Sequence, residues 1–238
     1  MARSGSRPDG TPARGEDVYA RLRGDILAGR LRPGSRLPFA ELCTRYGTSV
    51  GVLREGLSRL VEQDLVVVFP MQGYRVKAVS TQDLQHLTDA RVDVESLVLR
   101  SAIAAGDLAW ESDVLAAHHR LARTPQQDPD DPARMSESWA AAHASFHATL
   151  LQGCPNPRLR AIALALRDSA ELYRRWAVPV GHDGGRDTAG EHQALLDGAL
   201  ARDAEQAVQV LTEHLRRTAR VLLDVTSDED LLEALGAG

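Results

Sequence analysis

The sequence predicts a mainly α protein in two parts, an N-terminal winged helix-turn-helix followed by an all-α antiparallel helical bundle. Three observations predict it. Between residues 16 and 77, three short amphipathic segments are followed by two β-type runs around a tight turn. From Ser80 onward strand signals stop and helical periodicity continues to about residue 225. The charge divides at the same place: residues 1–78 carry 13 basic and 8 acidic side chains, whereas residues 79–238 carry 15 and 25. A basic part joined to a larger acidic one suggests that only the first meets a polyanion.

Residues 1–14 are Gly, Pro, Ser and Arg without a hydrophobic period and read as a disordered tail, leaving 15–78 for the first domain. Val18, Leu22 and Ile26 at four-residue spacing predict a helix over 16–29, stopped near Gly29. Arg30-Leu-Arg-Pro-Gly-Ser reads as a turn. A short helix is predicted over 39–46, closed by Gly47. Thr48 or Ser49 caps a third helix that runs to about Gln63 and buries Leu53, Leu57, Leu60 and Val61. Leu65-Val-Val-Val-Phe and Gly73-Tyr-Arg-Val-Lys form the wing around Pro70-Met-Gln-Gly.

The second domain is expected over 79–225. Ser80-x-x-Asp83 resembles a capping box with aspartate for the usual glutamate. Helices are predicted over 81–105, 107–123, 133–152, 157–177, 188–201 and 203–225, with breaks at Gly106, at 124–132, at Gly153-Cys-Pro-Asn-Pro and at 179–187. Six helices in antiparallel succession suggest a bundle. Residues 226–238, acidic and then Gly/Ala-rich, read as a flexible tail.

Composition removes several classes. No apolar run approaches the roughly 20 residues of a membrane span. The N-terminus has no apolar stretch behind its charges of the kind a secretory signal needs, so a cytoplasmic protein without a membrane partner is expected. Cys43 and Cys154 make neither a disulfide framework nor a Cys-rich zinc module, and each reads as a small buried or loop residue.

In a helix-turn-helix the second helix enters the major groove and presents its N-terminal residues to base edges. Here that helix starts at Ser49, and its buried stripe leaves Gly51, Arg54, Glu55, Ser58 and Arg59 outward. Arg54 suits a guanine or a phosphate, and Thr48 and Ser49 suit phosphates. Arg36 and Arg45, with Gln72, Gly73, Arg75 and Lys77 of the wing, are further candidates. The solvated faces of any small helical domain would carry similar residues, and a GC-rich genome would give the same preference for arginine over lysine.

Arg32-Pro-Gly-Ser-Arg-Leu, Ala40-Glu-Leu, Arg45-Tyr-Gly, Ser49 and Leu53-Arg-Glu-Gly-Leu-Ser-Arg-Leu through Asp64-Leu resemble the DNA-binding domain of GntR-type transcriptional regulators. That pattern runs roughly P-G-x-x-L, then E-L-A-x-x-L-G-V-S-R-x-x-V-R-E-A-L-x-x-L-x-x-x-G-L. The likeness covers about residues 16–78 without gaps and implies a DNA-binding role for Arg54. Three positions depart from it. Val50 stands where the arginine after the motif serine belongs, Phe39 replaces a glutamate, and Ala40 replaces an arginine found in some members. Loss of a cationic base reader removes about 1–3 kcal/mol of discrimination. An atypical operator, or more reliance on shape and the wing, is therefore expected.

Histidines are the informative residues of the second part. His143 and His147 at i,i+4 point from one helix face, a spacing that lets two imidazoles share a metal. His192 and His214 lie on two later helices, so three helices could converge four rings on one interior point. Spacing alone favours ordinary core or surface histidines over a metal site. Residues 80–223 further resemble the all-helical effector domain of the FadR-type, or FCD, branch of the same family. Asp89-Ala-Arg-Val-Asp-Val-Glu, His143-Ala-Ser-Phe-His with Pro155-Asn-Pro-Arg-Leu, Glu191-His-Gln-Ala-Leu-Leu-Asp-Gly-Ala-Leu and the helix bearing His214 carry the likeness. Metal-binding members use an Asp-x-x-x-His pair and two later histidines. The resemblance therefore implies ligand roles for His147, His192 and His214, with His143 in the aspartate's place.

Four neutral imidazoles leave a divalent ion near +2, which welcomes an anion, and nitrogen ligation favours zinc, nickel or copper over manganese or magnesium. Zn²⁺, or alternatively Ni²⁺, is the expected ion; a degenerate, metal-free cavity is the competing expectation. The resemblance places Arg91 in the effector cavity, where it would pair with a carboxylate. An i,i+4 ion pair with Glu95 is the plainer alternative. Trp139, Phe146, Tyr173 and Trp176 read as cavity lining or as core. The resemblance implies a homodimeric repressor of a pseudo-palindromic double-stranded DNA operator, controlled by a small organic acid, and no enzyme. A metallohydrolase fused to a helix-turn-helix is the rival, against which stands the lack of a His-Glu-x-x-His motif.

Overall fold

A computed structural model describes residues 15–27, 29–130, 135–177 and 186–224. The tails expected over 1–14 and 226–238 lie outside the described residues. The chain divides into two units, Met1–Ala78 and Val79–Gly238.

In the first unit α1 (Gly15–Leu27), α2 (Phe39–Tyr46) and α3 (Val50–Glu62) precede a hairpin of β1 (Val66–Phe69) and β2 (Gly73–Val76). The four-residue spacing of Val18, Leu22 and Ile26 puts all three on one face of α1, and all are fully buried. They meet Leu53, Leu57 and Leu60 of α3, each adding roughly 1.5–3 kcal/mol by leaving water. Gly56 lies in the same buried stripe, and a β-carbon there would approach Leu22 to 3.3 Å. Val61, expected in the core, is only half-buried, because α3 turns Gly56 instead toward α1. Gly47 ends α2 with a left-handed φ of 62°, which returns the chain for Ser49 to cap α3.

The strands pair antiparallel in register from Val66↔Val76 to Phe69↔Gly73. The segment predicted as a turn after α1 does more: the Gly34 N–H donates to the Val76 carbonyl at 3.1 Å and the Val76 N–H donates to the Ser35 carbonyl at 3.0 Å, and just beyond it the Leu37 N–H donates to the Tyr74 carbonyl at 2.9 Å while Arg36 bridges Arg75. It fastens the wing to the helices.

In the second unit the helices are α4 (Thr81–Ala105), α5 (Leu108–Arg123), α6 (Glu137–Gln152), α7 (Pro157–Ala177), α8 (Thr188–Leu200) and α9 (Ala204–Asp224). α4 packs on α7 and α9, α5 on α6 and α8, and α8 on α9. The Ser80 hydroxyl accepts from the Asp83 N–H at 3.0 Å, half of the anticipated capping box, while the Asp83 carboxylate accepts from the Tyr173 hydroxyl. Helix α6 starts four residues later than predicted. Met135 instead bridges Gln127, and Ser136 caps α6 by accepting from the Trp139 N–H at 3.2 Å. The core gathers Val98, Leu99, Ile103, Trp110, Val114, Phe146, Leu150, Leu195 and Leu211. Cys154 is buried between α6 and α7, and Cys43 is half-buried on α2.

Among the described residues no helix is long and apolar enough to cross a membrane. Gly106 is required by packing: a β-carbon there would collide with the Trp110 ring and lie 2.8 Å from the Ala102 carbonyl oxygen. Gly106→Ala should therefore destabilise the protein by about 1–3 kcal/mol, the usual cost of overpacking, measured by urea denaturation.

Candidate nucleic-acid interface and candidate metal centre

The α2–turn–α3 unit exposes a continuous face of α3. Val50, Gly51, Arg54, Glu55 and Ser58 point outward, because Leu53, Gly56, Leu57 and Leu60 point inward. Ser49 is exposed and caps the helix by accepting from the Val52 N–H at 3.4 Å; Thr48 is half-buried beside it. Arg36 is exposed, and Gln72 is exposed with Gly73 at the wing tip, where Gly73 adopts a φ of 87°.

The arginines divide into two kinds. Arg45 pairs with Asp25 at 2.7 Å, and Asp25 also accepts from the buried Tyr46 hydroxyl at 2.6 Å and from Arg30 at 2.7 Å. Burial, and then the carboxylate, raise the Tyr46 pKa. The Arg59 side chain stays at the surface, as expected, and leans along it onto α1, where it pairs with Glu16 at 2.7 Å and covers the Tyr19 ring. A phosphate would have to compete for both. Arg54 instead rests 5.7 Å from the centre of the Phe39 ring, whose other neighbour is Tyr74 of the wing. A ring orients a guanidinium without consuming its donors.

The second unit brings all four predicted histidines together. His143 and His147 of α6, His192 of α8 and His214 of α9 are 6%, 2%, 3% and 5% exposed. One ring nitrogen from each lies within 4.8 Å of the others. The Nε2 atoms of His147 and His192 are buried without a hydrogen-bond partner in the protein. Burial, reinforced by Arg174 at His143 and by Arg167 at His147, pushes both pKa values far down; His192 falls to about 2 and His214 is lowered too, burial again coming first. All four rings are therefore neutral and offer lone pairs. Trp139 stacks on His143 at 4.8 Å, and Phe146 packs edge-on against His147 and His192. Both are core side chains. Tyr173 faces the adjoining cavity, and the Trp176 side chain lies outside the described residues.

Glu191 fixes the tautomer of His214. Burial would raise its pKa, but hydrogen bonds from His214 and Arg186 hold it at about 2, so the carboxylate only accepts. The His214 Nδ1–H donates to it at 2.7 Å, leaving Nε2 as the lone-pair nitrogen. Arg186 locks the arrangement, donating to Glu191 at 2.7 Å and to the His214 carbonyl at 3.1 Å.

Beside the histidines opens a cavity lined by Thr88, Arg91, Arg167, Arg174 and Thr218, together with His143 and His214. Arg91 lines this cavity and also pairs with Glu95 at 2.6 Å. The second Glu95 oxygen accepts from Arg167 at 2.6 Å. Burial opposes ionisation of Glu95, yet Arg167 and Arg91 hold its pKa below the ordinary value. Sequence reasoning missed Arg167 and Arg174, although their seven-residue spacing on α7 places them on one face. It also missed Arg186, which precedes α8 and carries no motif.

Two outcomes follow from this chemistry. Glu95→Ala removes the shared partner of two partly buried guanidiniums and should cost up to about 3–5 kcal/mol in unfolding experiments. Each histidine pKa is depressed in the fold, so the unfolded chain takes up protons that the native state refuses. Stability of metal-free protein is full above pH 6.5 and falls below it; at pH 5 His192 alone contributes a loss of about 2 kcal/mol. Denaturation midpoints at pH 7.5, 6 and 5 check this, and a flat profile would contradict it.

Residues 14–76 match the family model described as bacterial regulatory proteins, gntR family, and residues 86–217 match that of the FCD domain. The chain is 35% identical to the uncharacterized HTH-type transcriptional regulator BphR of Paraburkholderia xenovorans (strain LB400), over 87% of this chain and 84% of that protein. It is 36% identical to the HTH-type transcriptional repressor GlaR of Escherichia coli (strain K12), over 84% of this chain and 91% of that one. The solved structure of E. coli McbR/YncC shares the fold, with a TM-score of 0.72, 20% identity and coverage of 90% and 99%. With both of its parts matched, the chain belongs to the GntR family of DNA-binding transcriptional regulators, in the group whose second domain is an FCD domain.

Proposed function

We propose that the protein is a repressor whose helical domain binds a divalent metal and a small carboxylate effector that together set its affinity for an operator. The observation that carries this reading is the convergence of four buried, neutral imidazoles, two of which have a nitrogen without a partner. Unmade hydrogen bonds at buried polar atoms are costly, and a bound cation satisfies them. His143, His147, His192 and His214 would hold it. Zinc fits an all-nitrogen set, with nickel as the alternative. Such an ion supplies an uncompensated charge near +2 that draws an anionic oxygen donor. Arg91, with Arg167 and Arg174 beside it, presents guanidinium donors to the same cavity and would take the effector's carboxylate.

In the DNA-binding domain Arg54 would read a guanine or a phosphate. Thr48, Ser49, Gly51 and Ser58 would line the groove, with Arg36, Gln72 and Gly73 as outer contacts. Arg45 and Arg59 would reach phosphates only by exchanging their ion pairs with Asp25 and Glu16. Two copies related by a two-fold axis would meet the half-sites of a pseudo-palindrome. A preference of the effector for one arrangement of that dimer would alter operator affinity by linkage. GlaR and the galactonate operon transcriptional repressor of E. coli, 28% identical, are named as repressors, which favours repression here.

The test is metal analysis of protein purified without chelator, followed by operator titrations with and without small carboxylates. One zinc or nickel per chain, lost in His147→Ala, is expected, with weaker operator binding once an effector is added. Absence of metal in the wild type would sink the metal site, and retained carboxylate binding would then favour a metal-free arginine cavity. Arg54→Ala should weaken operator binding by about five- to 150-fold, the scale of one lost guanine contact.

A further inference from the structure

The exposed face of α3 begins with a feature that its own fold does not require. Val50, the first residue of the helix, is 48% exposed and sits in a row with Arg54 and Ser58 at four-residue intervals. A single exposed valine is unremarkable on any surface. Its neighbour is not. Gly51 follows within the helix, where glycine is disfavoured relative to alanine. Its φ is not in the left-handed region, and a β-carbon there would meet only the Ser49 Oγ, at 3.9 Å. Gly56, further along the same helix, is crowded by Leu22 and Tyr19, so its lack of a side chain serves packing inside the protein. The bareness of Gly51 serves nothing inside it. What it leaves room for is outside, on the surface that a helix-turn-helix lays against base edges.

We propose that Val50 and Gly51 form an apolar reading tip that packs against the 5-methyl group of a thymine in each operator half-site. Gly51 lets the start of α3 approach the groove closely enough for a short side chain to reach. Among the four bases only thymine offers a methyl group in the major groove. Valine has no donor or acceptor, so pressing it onto the N7 and O6 of guanine would strip water from them without replacing its hydrogen bonds. The tip therefore favours a T·A pair both by what it touches and by what it leaves unsatisfied. Arg54, one turn further and held over Phe39 rather than by a carboxylate, keeps its donors for a neighbouring guanine or phosphate. The inference rests on α3 being the element that reads DNA.

The experiment uses the full-length protein. An operator is obtained by in vitro selection from a random duplex pool, and each of its thymines is then replaced singly by deoxyuridine, which deletes the methyl group and keeps base pairing. One symmetry-related position is expected at which this weakens wild-type binding by about fourfold per half-site, the scale of one methyl group leaving an apolar contact. Val50→Ala should lose most of that sensitivity. Repeating the selection with Val50→Arg should change the same position to guanine. Gly51→Ala should raise the melting temperature while weakening operator binding, opposite signs that a purely structural glycine would not give. Indifference to deoxyuridine at every thymine, or unchanged sensitivity in Val50→Ala, would overturn the proposal. Failure to select any sequence would instead refute α3 as the reader, a distinguishable result.

Discussion

Four imidazoles cannot be buried within a few ångströms of one another in their charged form. That constraint shapes the helical domain. α6, α8 and α9 must each deliver a neutral ring to the same point, and the surrounding groups have to keep it neutral and oriented. Trp139 and Phe146 supply apolar walls that favour the uncharged state. Arg167 and Arg174 add positive potential that opposes protonation. Glu191 holds one proton of His214 on Nδ1 and so aims the remaining lone pair inward. The centre is thus arranged to offer lone pairs without the protons that would cancel them.

Charge balance around that centre follows from the same low-polarity interior. Arg91 and Arg167 are partly buried guanidiniums that share Glu95, Arg174 pairs with Glu171, and Arg186 pairs with Glu191. Glu95 gives one oxygen to each of its two arginines, so a single carboxylate sets the direction of both while leaving most of their donors unspent. The wall of the cavity is therefore cationic and preorganised, which suits the carboxylate effector proposed for it. In the DNA-binding domain, ion pairing separates arginines by task. Asp25 and Glu16 restrain Arg45 and Arg59, whereas an aromatic ring supports Arg54 on the exposed face of α3.

Much of this was legible in the sequence. The four-residue spacing of Val18, Leu22 and Ile26 and the stripe through Leu53, Leu57 and Leu60 specify which faces are buried, because a helix repeats every 3.6 residues whatever it packs against. Gly47, Ser49 and Ser80 mark helix ends, since each supplies a backbone conformation or an oxygen that a terminus needs. The start of α6 was placed four residues early because the bridge from Met135 to Gln127 and the Ser136 N–H bond to the Gln126 carbonyl keep that stretch out of the helix, which helical periodicity does not register; the Ser136 cap itself is a local signal. The Arg59 side chain lies at the surface as expected, but its partner was not legible: Glu16 lies 43 residues earlier and joins it only when α1 and α3 pack.

The sequence by itself determined the order of elements, the two-part charge division and the i,i+4 pair of histidines, all of which depend on local periodicity and composition. Only the tertiary structure decided that His192 and His214 meet that pair, that Arg167 of α7 joins the Arg91–Glu95 pair already allowed by its four-residue spacing, and that Arg186 and Glu191 orient His214. Those contacts link residues tens of positions apart, and local geometry does not constrain such distances until packing brings the helices together.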